Sequence, residues 1–233
     1  FIYIPQLCRE VLQLVNIVRQ ECSATSGTDL VTVASVTGES LRFKNWVIRA
    51  WEEIQELHSD WRWMRAEYSF TTTADDGSYT STQAGISSRF GYWDRTYCTV
   101  YLTATGVSDQ TELGWLEYDE FRAEYLTGSQ TSSRPRHFTI GDSNELLIGP
   151  EPESTSYTVL GHYFKSPQTF SADADTPELP EQHKLIAWYA INEYGGYNVA
   201  PEVMGRAQNK IPRMLATLRA KYLPTIEMAG PLT

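Results

Sequence analysis

The sequence predicts an α+β protein in which N- and C-terminal helices form a helical bundle and an antiparallel β-rich domain, a sandwich or a small barrel, is inserted between them. Apolar residues recur at helical spacing near both ends of the chain, whereas the middle has short alternating runs rich in Thr, Ser and aromatic residues. The excess of acidic residues lies in the middle as well. A chain of 233 residues with 41% apolar residues is long enough for such a core and insertion.

The first two helices are predicted from steps of three and four between apolar residues. One apolar stripe covers residues 7–22 and a second covers residues 43–61, with Ser40 as the predicted N-cap of the second helix. Residues 30–36, between the two stripes, are rich in β-branched residues and predict a short strand.

The middle of the chain predicts several short strands and one short helix. The strands are residues 68–72, 96–103, 138–140, 145–148 and 156–164, and the helix is residues 118–125. The acidic and proline-containing segment 171–180 follows them, and it marks the return to helical periodicity.

Two further helices are predicted after this segment. A third helix around residues 185–191 ends at Gly195 and Gly196, and a fourth covers residues 201–222. Because a proline inside a helix costs about 3 kcal/mol, Pro212 predicts either a kink in the fourth helix or two helices end to end.

These patterns divide the chain into four parts. Residues 1–65 form the first part of a helical domain, residues 66–176 an inserted acidic β-rich domain, residues 177–222 the second part of the helical domain, and residues 223–233 a C-terminal arm.

The charge follows this division. The net charge of −10 comes from eight acids and seven bases in residues 1–65, sixteen acids and six bases in residues 66–176, and five acids and six bases in residues 177–233. An acidic surface repels nucleic acid and anionic lipid, so we expect neither tight DNA binding nor a membrane partner. No apolar run approaches the ~20 residues that span a bilayer.

No set of residues predicts catalysis, a metal site or a cofactor. Gly141-Asp142-Ser143 is similar to an esterase nucleophile motif, but none of the four histidines follows an Asp by three residues, so we expect a hairpin turn there. The histidines and cysteines lack metal-ligand spacing. The alternative from a different class of function is a hydrolase or glycan-binding module that uses the Tyr, Trp and Thr residues of the insertion.

Five side chains are candidates for contacts between subunits. Trp61 and Trp63, which alternate with arginines, could stack on single-stranded nucleic acid, but they are more typical of a helix end that anchors the insertion on the helices. Arg206, Arg213 and Arg219 lie on the fourth helix, where arginine can pair with the carboxylates of a partner.

Three blocks resemble a known family. They are residues 45–55 (NWVIRAWEEIQ), residues 60–64 (DWRWM), and the proline-acid stretch of residues 175–181 (DTPELPE) leading into the helix at residues 185–190 (LIAWYA). The blocks and the order of elements are similar to those of the head-to-tail adaptor proteins of tailed phages, also called connector or head-completion proteins. Together they cover the helical half of the chain.

The resemblance implies a structural virion protein without enzymatic activity. It implies a ring of about twelve copies, a dodecamer, beneath the portal protein. This ring extends the DNA channel and docks the tail nozzle or another tail component, and DNA passes without specific binding. The expected location is the neck of the virion, after synthesis in the bacterial host cytoplasm. The alternative within phages is a tail-nozzle or gatekeeper subunit one layer further out.

The resemblance also implies that a C-terminal segment binds the portal. Residues 223–233 are apolar and bounded by prolines, and in extended conformation eleven residues reach ~36 Å. The alternative is a frayed terminus. The predicted portal-binding arm consists of Tyr222, Leu223, Pro224, Thr225, Ile226, Glu227, Met228 and Leu232.

Overall fold

The computed structural model describes residues 10–22, 29–153 and 156–224, and within these ranges it contains five α-helices and eight β-strands. The predicted α+β class is confirmed. The chain divides into two units, one formed by Phe1–Trp63 with Pro167–Thr233, and the other by Met64–Ser166. We call them the helical unit and the β unit.

Four of the five helices belong to the helical unit, and the third helix along the chain lies in the β unit. The four are α1 (Val11–Glu21), α2 (Gly38–Glu56), α4 (Lys184–Tyr197) and α5 (Pro201–Tyr222). Helix α4 packs against α1, α2 and α5, so it is the central helix among those described. Its buried residues lie on several sides, as expected for a helix with neighbours all round.

The predicted strand at residues 30–36 is wrong. The backbone there pairs with side chains instead of a neighbouring strand: Asn16 both donates to the Leu30 carbonyl (3.0 Å) and accepts from its N–H (2.8 Å). Farther along, the Val33 N–H donates to Asp173 Oδ1 at 2.7 Å. β-branched residues favour a strand only where another strand is available for pairing. Here polar side chains form the hydrogen bonds of the backbone instead.

The ends of the predicted helices also need correction. The N-cap of α2 is Thr37 rather than Ser40. Gly195 and Gly196 do not end α4, which continues to Tyr197. A Cβ at Gly195 would lie 2.8 Å from Met204 Cβ, so this glycine permits the close approach of α4 and α5 rather than stopping the helix.

Helix α5 is one helix with Pro212 inside it, which excludes two helices end to end. Proline lacks the N–H that would bond the carbonyl of residue 208. Both Gln208 and Pro212 are exposed, so water can bond the freed carbonyl, and the helix continues.

The β unit contains two four-stranded sheets and the predicted helix α3 (Tyr118–Tyr125). Its strands are β1 (Arg65–Thr71), β2 (Ser78–Tyr79), β3 (Phe90–Leu102), β4 (Thr111–Glu112), β5 (Gly114–Trp115), β6 (His137–Ile140), β7 (Leu146–Gly149) and β8 (Tyr157–Lys165). One sheet has the order β1-β8-β3-β4 and is antiparallel; the other has the order β2-β7-β6-β5.

The predicted antiparallel pairing is wrong for one pair, because β5 and β6 run parallel. Residues of both sheets contribute to one hydrophobic cluster, including Phe70, Trp93 and Val159 from the first sheet and Phe138 and Ile148 from the second. The two sheets therefore enclose a common core, as in a sandwich.

The two units differ in charge. Fourteen acids and seven bases give the β unit a charge of −7, and fifteen acids and twelve bases give the helical unit −3. The acidic segment around Asp173 and Asp175 belongs to the helical unit, where their backbone carbonyls accept the first N–H groups of α1. These contacts satisfy donors that a helix N-terminus leaves free.

Candidate functional site

The C-terminal end of α5 lies against an aromatic stack formed by the segment after α2. Trp61 is fully buried, and its Nε1 donates to the Ile54 carbonyl at 3.0 Å. That carbonyl belongs to the last turn of α2, where helical carbonyls have no partner within the helix. Trp63 stacks on Trp61 at 4.2 Å between ring centroids, and Tyr222 meets Trp63 edge-on at 5.4 Å.

Polar contacts hold the same end of α5. Arg219 Nε donates to His58 Nε2 at 2.9 Å, and the His58 ring stands edge-on to Trp61 at 4.9 Å. Lys221 Nζ and Tyr222 Oη both donate to Glu181 Oε1, at 2.6 and 3.1 Å. Hydrogen bonds from Lys221 and then Tyr222 hold the pKa of the Glu181 carboxyl below its usual value.

We call this group the C-terminal anchor. It consists of His58, Trp61, Trp63, Glu181, Arg219, Lys221 and Tyr222. Sequence reasoning identified four of the seven and missed His58, Glu181 and Lys221. Nothing local connects position 181 with position 221, 40 residues later.

The anchor lies at the root of the predicted arm. Tyr222 is part of it, and the chain continues through Leu223 and Pro224. The remaining arm residues lie outside the described residues: Thr225, Ile226, Glu227, Met228 and Leu232. Trp63 Nε1 is buried at this root and has no hydrogen-bond partner within the described ranges.

The five predicted contact residues have different surroundings. Trp61 is enclosed by its own chain, so it is a packing residue rather than a surface contact. Arg206 donates to Glu21, at 3.3 Å to the carboxylate and 3.0 Å to the carbonyl, and Arg219 is bonded to His58. Arg213 is exposed and has no carboxylate partner among the described residues, so it is available for a second molecule.

The esterase-like motif forms the predicted hairpin turn. Gly141 to Asn144 connect β6 and β7, and the Asn144 N–H donates to the Gly141 carbonyl at 3.0 Å. Ser143 has no hydrogen-bonded histidine in the described part of the chain. The described residues also contain no group of three side chains that could hold a metal ion, and none of the described helices is long and apolar enough to cross a membrane.

The sequence matches a known protein family. The model of a family described as SU10 adaptor protein matches residues 10–226, which include the two helical segments, the β unit and the first residues of the arm. The chain belongs to the SU10 adaptor protein family. The resemblance to phage head-to-tail adaptors is thereby confirmed. A search of curated proteins gives no match.

Family membership makes this adaptor a structural protein of a phage particle that takes part in virus assembly. The family implies interaction with portal and tail components. The matched range, residues 10–226, contains the residues of the C-terminal anchor and the start of the arm that follows it.

Proposed function

We propose that the adaptor assembles as a ring of about twelve copies beneath the portal, extends the DNA channel and presents a surface for the tail nozzle or another tail component. The C-terminal arm, residues 223–233, binds the portal together with Tyr222, and the helices form the bundle that frames the ring. The particle's neck is the site of action, after synthesis in the host cytoplasm. The C-terminal anchor is the observation that carries this proposal.

The anchor suits a binding arm because it fixes the arm's root. An apolar peptide whose attachment point is not fixed loses much of its binding free energy to the cost of ordering. The edge-on contact with Trp63 and the hydrogen bond to Glu181 hold Tyr222, so the position at which the arm begins is fixed before a partner binds. The arm itself offers Ile226, Met228 and Leu232 as apolar groups.

The charge of the β unit supports a role beside a DNA channel. Nonspecific DNA binding comes from basic side chains on phosphates, and the β unit carries −7. DNA that passes this unit is repelled rather than held. The same charge on an outward face would serve solubility.

Binding to purified portal rings tests the proposal. The full chain should sediment with bare portal and give a single stacked ring in electron-microscope class averages. A chain that ends at Pro224, or that carries Ile226→Asp with Met228→Asp, should bind at least about tenfold more weakly, which corresponds to about 1.4 kcal/mol. Gly230→Asp with Thr233→Asp is the matched control, since it adds the same charge, removes no large apolar group and changes no residue of the predicted portal-binding set.

Two results would contradict the proposal. Equal portal binding by the full and the truncated chain would exclude the arm. Binding only to portal that already carries another neck protein would place this chain one layer further out, as a tail-nozzle or gatekeeper subunit.

A further inference from the structure

Helix α5 borders two grooves of opposite charge in the helical unit. The first, of about 780 Å³, lies between α4 and α5 and is lined by the cations Lys184, Arg206, Lys210 and Arg213, with no acid among its lining residues. We call it the basic groove. The Lys210 ammonium lies over the Trp188 ring, 5.2 Å from its centroid, and this holds one positive charge at the groove.

The second groove, of about 280 Å³, includes the carboxylates Glu53 and Glu193 with Tyr189 and Asn192. We call it the acidic groove. No cation is among its lining residues. The Asn192 Oδ1 atom is buried and has no hydrogen-bond partner in the described part of the chain, so this groove contains an acceptor without a donor.

The two grooves use opposite sides of α5. At about 100° per residue, Arg206, Lys210 and Arg213 centre on one side of the helix. The α5 residues of the acidic groove, Gln208, Ile211 and Pro212, centre roughly half a turn away. A molecule that contacts one groove therefore leaves the other accessible.

Most of the charged groups in the two grooves have no partner of opposite charge among the described residues. No carboxylate pairs with Lys184, Lys210 or Arg213, although Arg206 is bonded to Glu21. Burial, Glu193 and Glu56 raise the pKa of the Glu53 carboxyl, as expected for carboxylates that repel one another. The basic groove is lined by no acidic residue, and the acidic groove is lined by no basic residue.

We propose that the two grooves are the two halves of one contact between neighbouring copies, in which the α5 face with Lys210 and Arg213 packs on the face with Glu53 and Glu193 of the next copy. This inference rests on the proposed ring. Because the two grooves lie on opposite sides of α5, a single two-fold contact cannot use both, whereas a head-to-tail contact joins the unlike faces and gives a ring when its rotation closes. A second copy is favoured over nucleic acid because the chain is acidic overall and supplies both faces itself.

Charge reversal in complementary variants tests the contact. Lys210→Glu with Arg213→Glu makes the basic groove acidic, and Glu53→Lys with Glu193→Lys makes the acidic groove basic. All four side chains are exposed, so the fold should be retained, which circular dichroism checks. Each variant alone should self-associate at least about tenfold more weakly than the unchanged chain in sedimentation velocity.

Mixing the two variants gives the decisive result. In an alternating assembly every contact again joins a positive and a negative face, so the mixture should recover the assembly that neither variant forms alone. Recovery should weaken with added salt, which screens exposed charges. Arg122→Glu with Arg136→Glu, at exposed arginines of the β unit, is the matched control and should assemble like the unchanged chain.

The outcomes separate this inference from the proposed function. Unchanged self-association of either variant, no recovery on mixing, or tight binding of duplex DNA by the basic groove overturns the inference. A chain that binds portal while its copies make no contact overturns the inference and keeps portal docking. If rings form in a charge-dependent way but do not bind portal, the inference stands and portal docking is excluded.

Discussion

Replacement of Trp61 by phenylalanine should loosen the C-terminal anchor by an amount that follows from its contacts. The substitution keeps an aromatic ring at a fully buried site and removes the donor that bonds the Ile54 carbonyl at 3.0 Å. A buried polar group left without its partner costs about 1 to 3 kcal/mol. We therefore expect a loss of about 2 kcal/mol for Trp61→Phe and about 4 kcal/mol for Trp61→Ala, which also leaves a cavity.

Hydrogen exchange followed by mass spectrometry measures this loss locally. A two-unit chain need not unfold in one step, so a single unfolding midpoint would mix the helical unit with the β unit. Peptides from the end of α2 and the end of α5 report on the anchor. Their opening equilibrium should rise about thirtyfold in Trp61→Phe, the equivalent of about 2 kcal/mol, whereas peptides of the β unit should not change.

Trp115→Phe provides the matched control. Trp115 is half-buried in the β unit, and its Nε1 donates to the exposed Glu117 carboxylate at 3.2 Å. Water can replace that bond, so the cost should stay within about 0.5 kcal/mol. If Trp61→Phe loosens the end of α2 no more than Trp115→Phe loosens its own surroundings, the indole of Trp61 does not cap α2 and the reasoning fails.

Three further predictions concern a carboxylate, a glycine and a thiol. The pKa of Glu181, measured by NMR titration, should lie below that of a glutamate in a model peptide and return toward it in Lys221→Met; because it is depressed, its stabilisation is present at neutral pH and lost as pH falls through the folded pKa. Gly161→Ala should destabilise the β unit by about 1 to 3 kcal/mol in urea unfolding, since the added Cβ overlaps the Tyr68 side chain; an unchanged midpoint would refute that clash. Burial raises the pKa of the Cys98 thiol to about 12, so iodoacetamide should modify it at neutral pH only after unfolding, and rapid modification in the native protein would contradict the burial.

Periodicity predicted the elements of this fold where local pattern and tertiary packing agree. The stripe through Val47 and Ile54 is a helix with those residues buried, and the helix at residues 118–125 has the predicted bounds. The errors occur where a residue distant in sequence determines the local structure. Residues 30–36 read as a strand, but their backbone is satisfied by side chains that include Asp173, 140 residues away from Val33.

The same distinction applies to glycine and proline. In the sequence, Gly195 resembles a residue that ends a helix. In the structure it lies inside α4, where an added Cβ would come 2.8 Å from Met204 Cβ, so its role is close packing. Pro212 resembles a helix break in the sequence, but the structure shows one continuous helix in which Gln208 and Pro212 are both exposed. Both residues limit the backbone, and the packing around them determines whether the helix ends.

The candidate site was predictable in position but not in its contacts. Trp61, Trp63 and Tyr222 were recognised as aromatic groups near helix ends, yet sequence alone could not show that Tyr222 meets Trp63, about 160 residues earlier in the chain. The charge of the chain gave even less information about association. A count by segment makes the helices nearly neutral, and near-neutrality predicts no preferred partner.

The distribution of that charge across α5 changes the conclusion. The helical unit has a charge of only −3, but Lys210 and Arg213 lie on one side of α5, whereas Glu53 and Glu193 border the other. Opposite charges separated by one helix diameter cannot neutralise each other inside one chain, because each group faces away from the other. They can do so between two copies. A nearly neutral unit with separated charges is thus better suited to head-to-tail association than a uniformly charged one, since copies of the latter repel one another in every orientation.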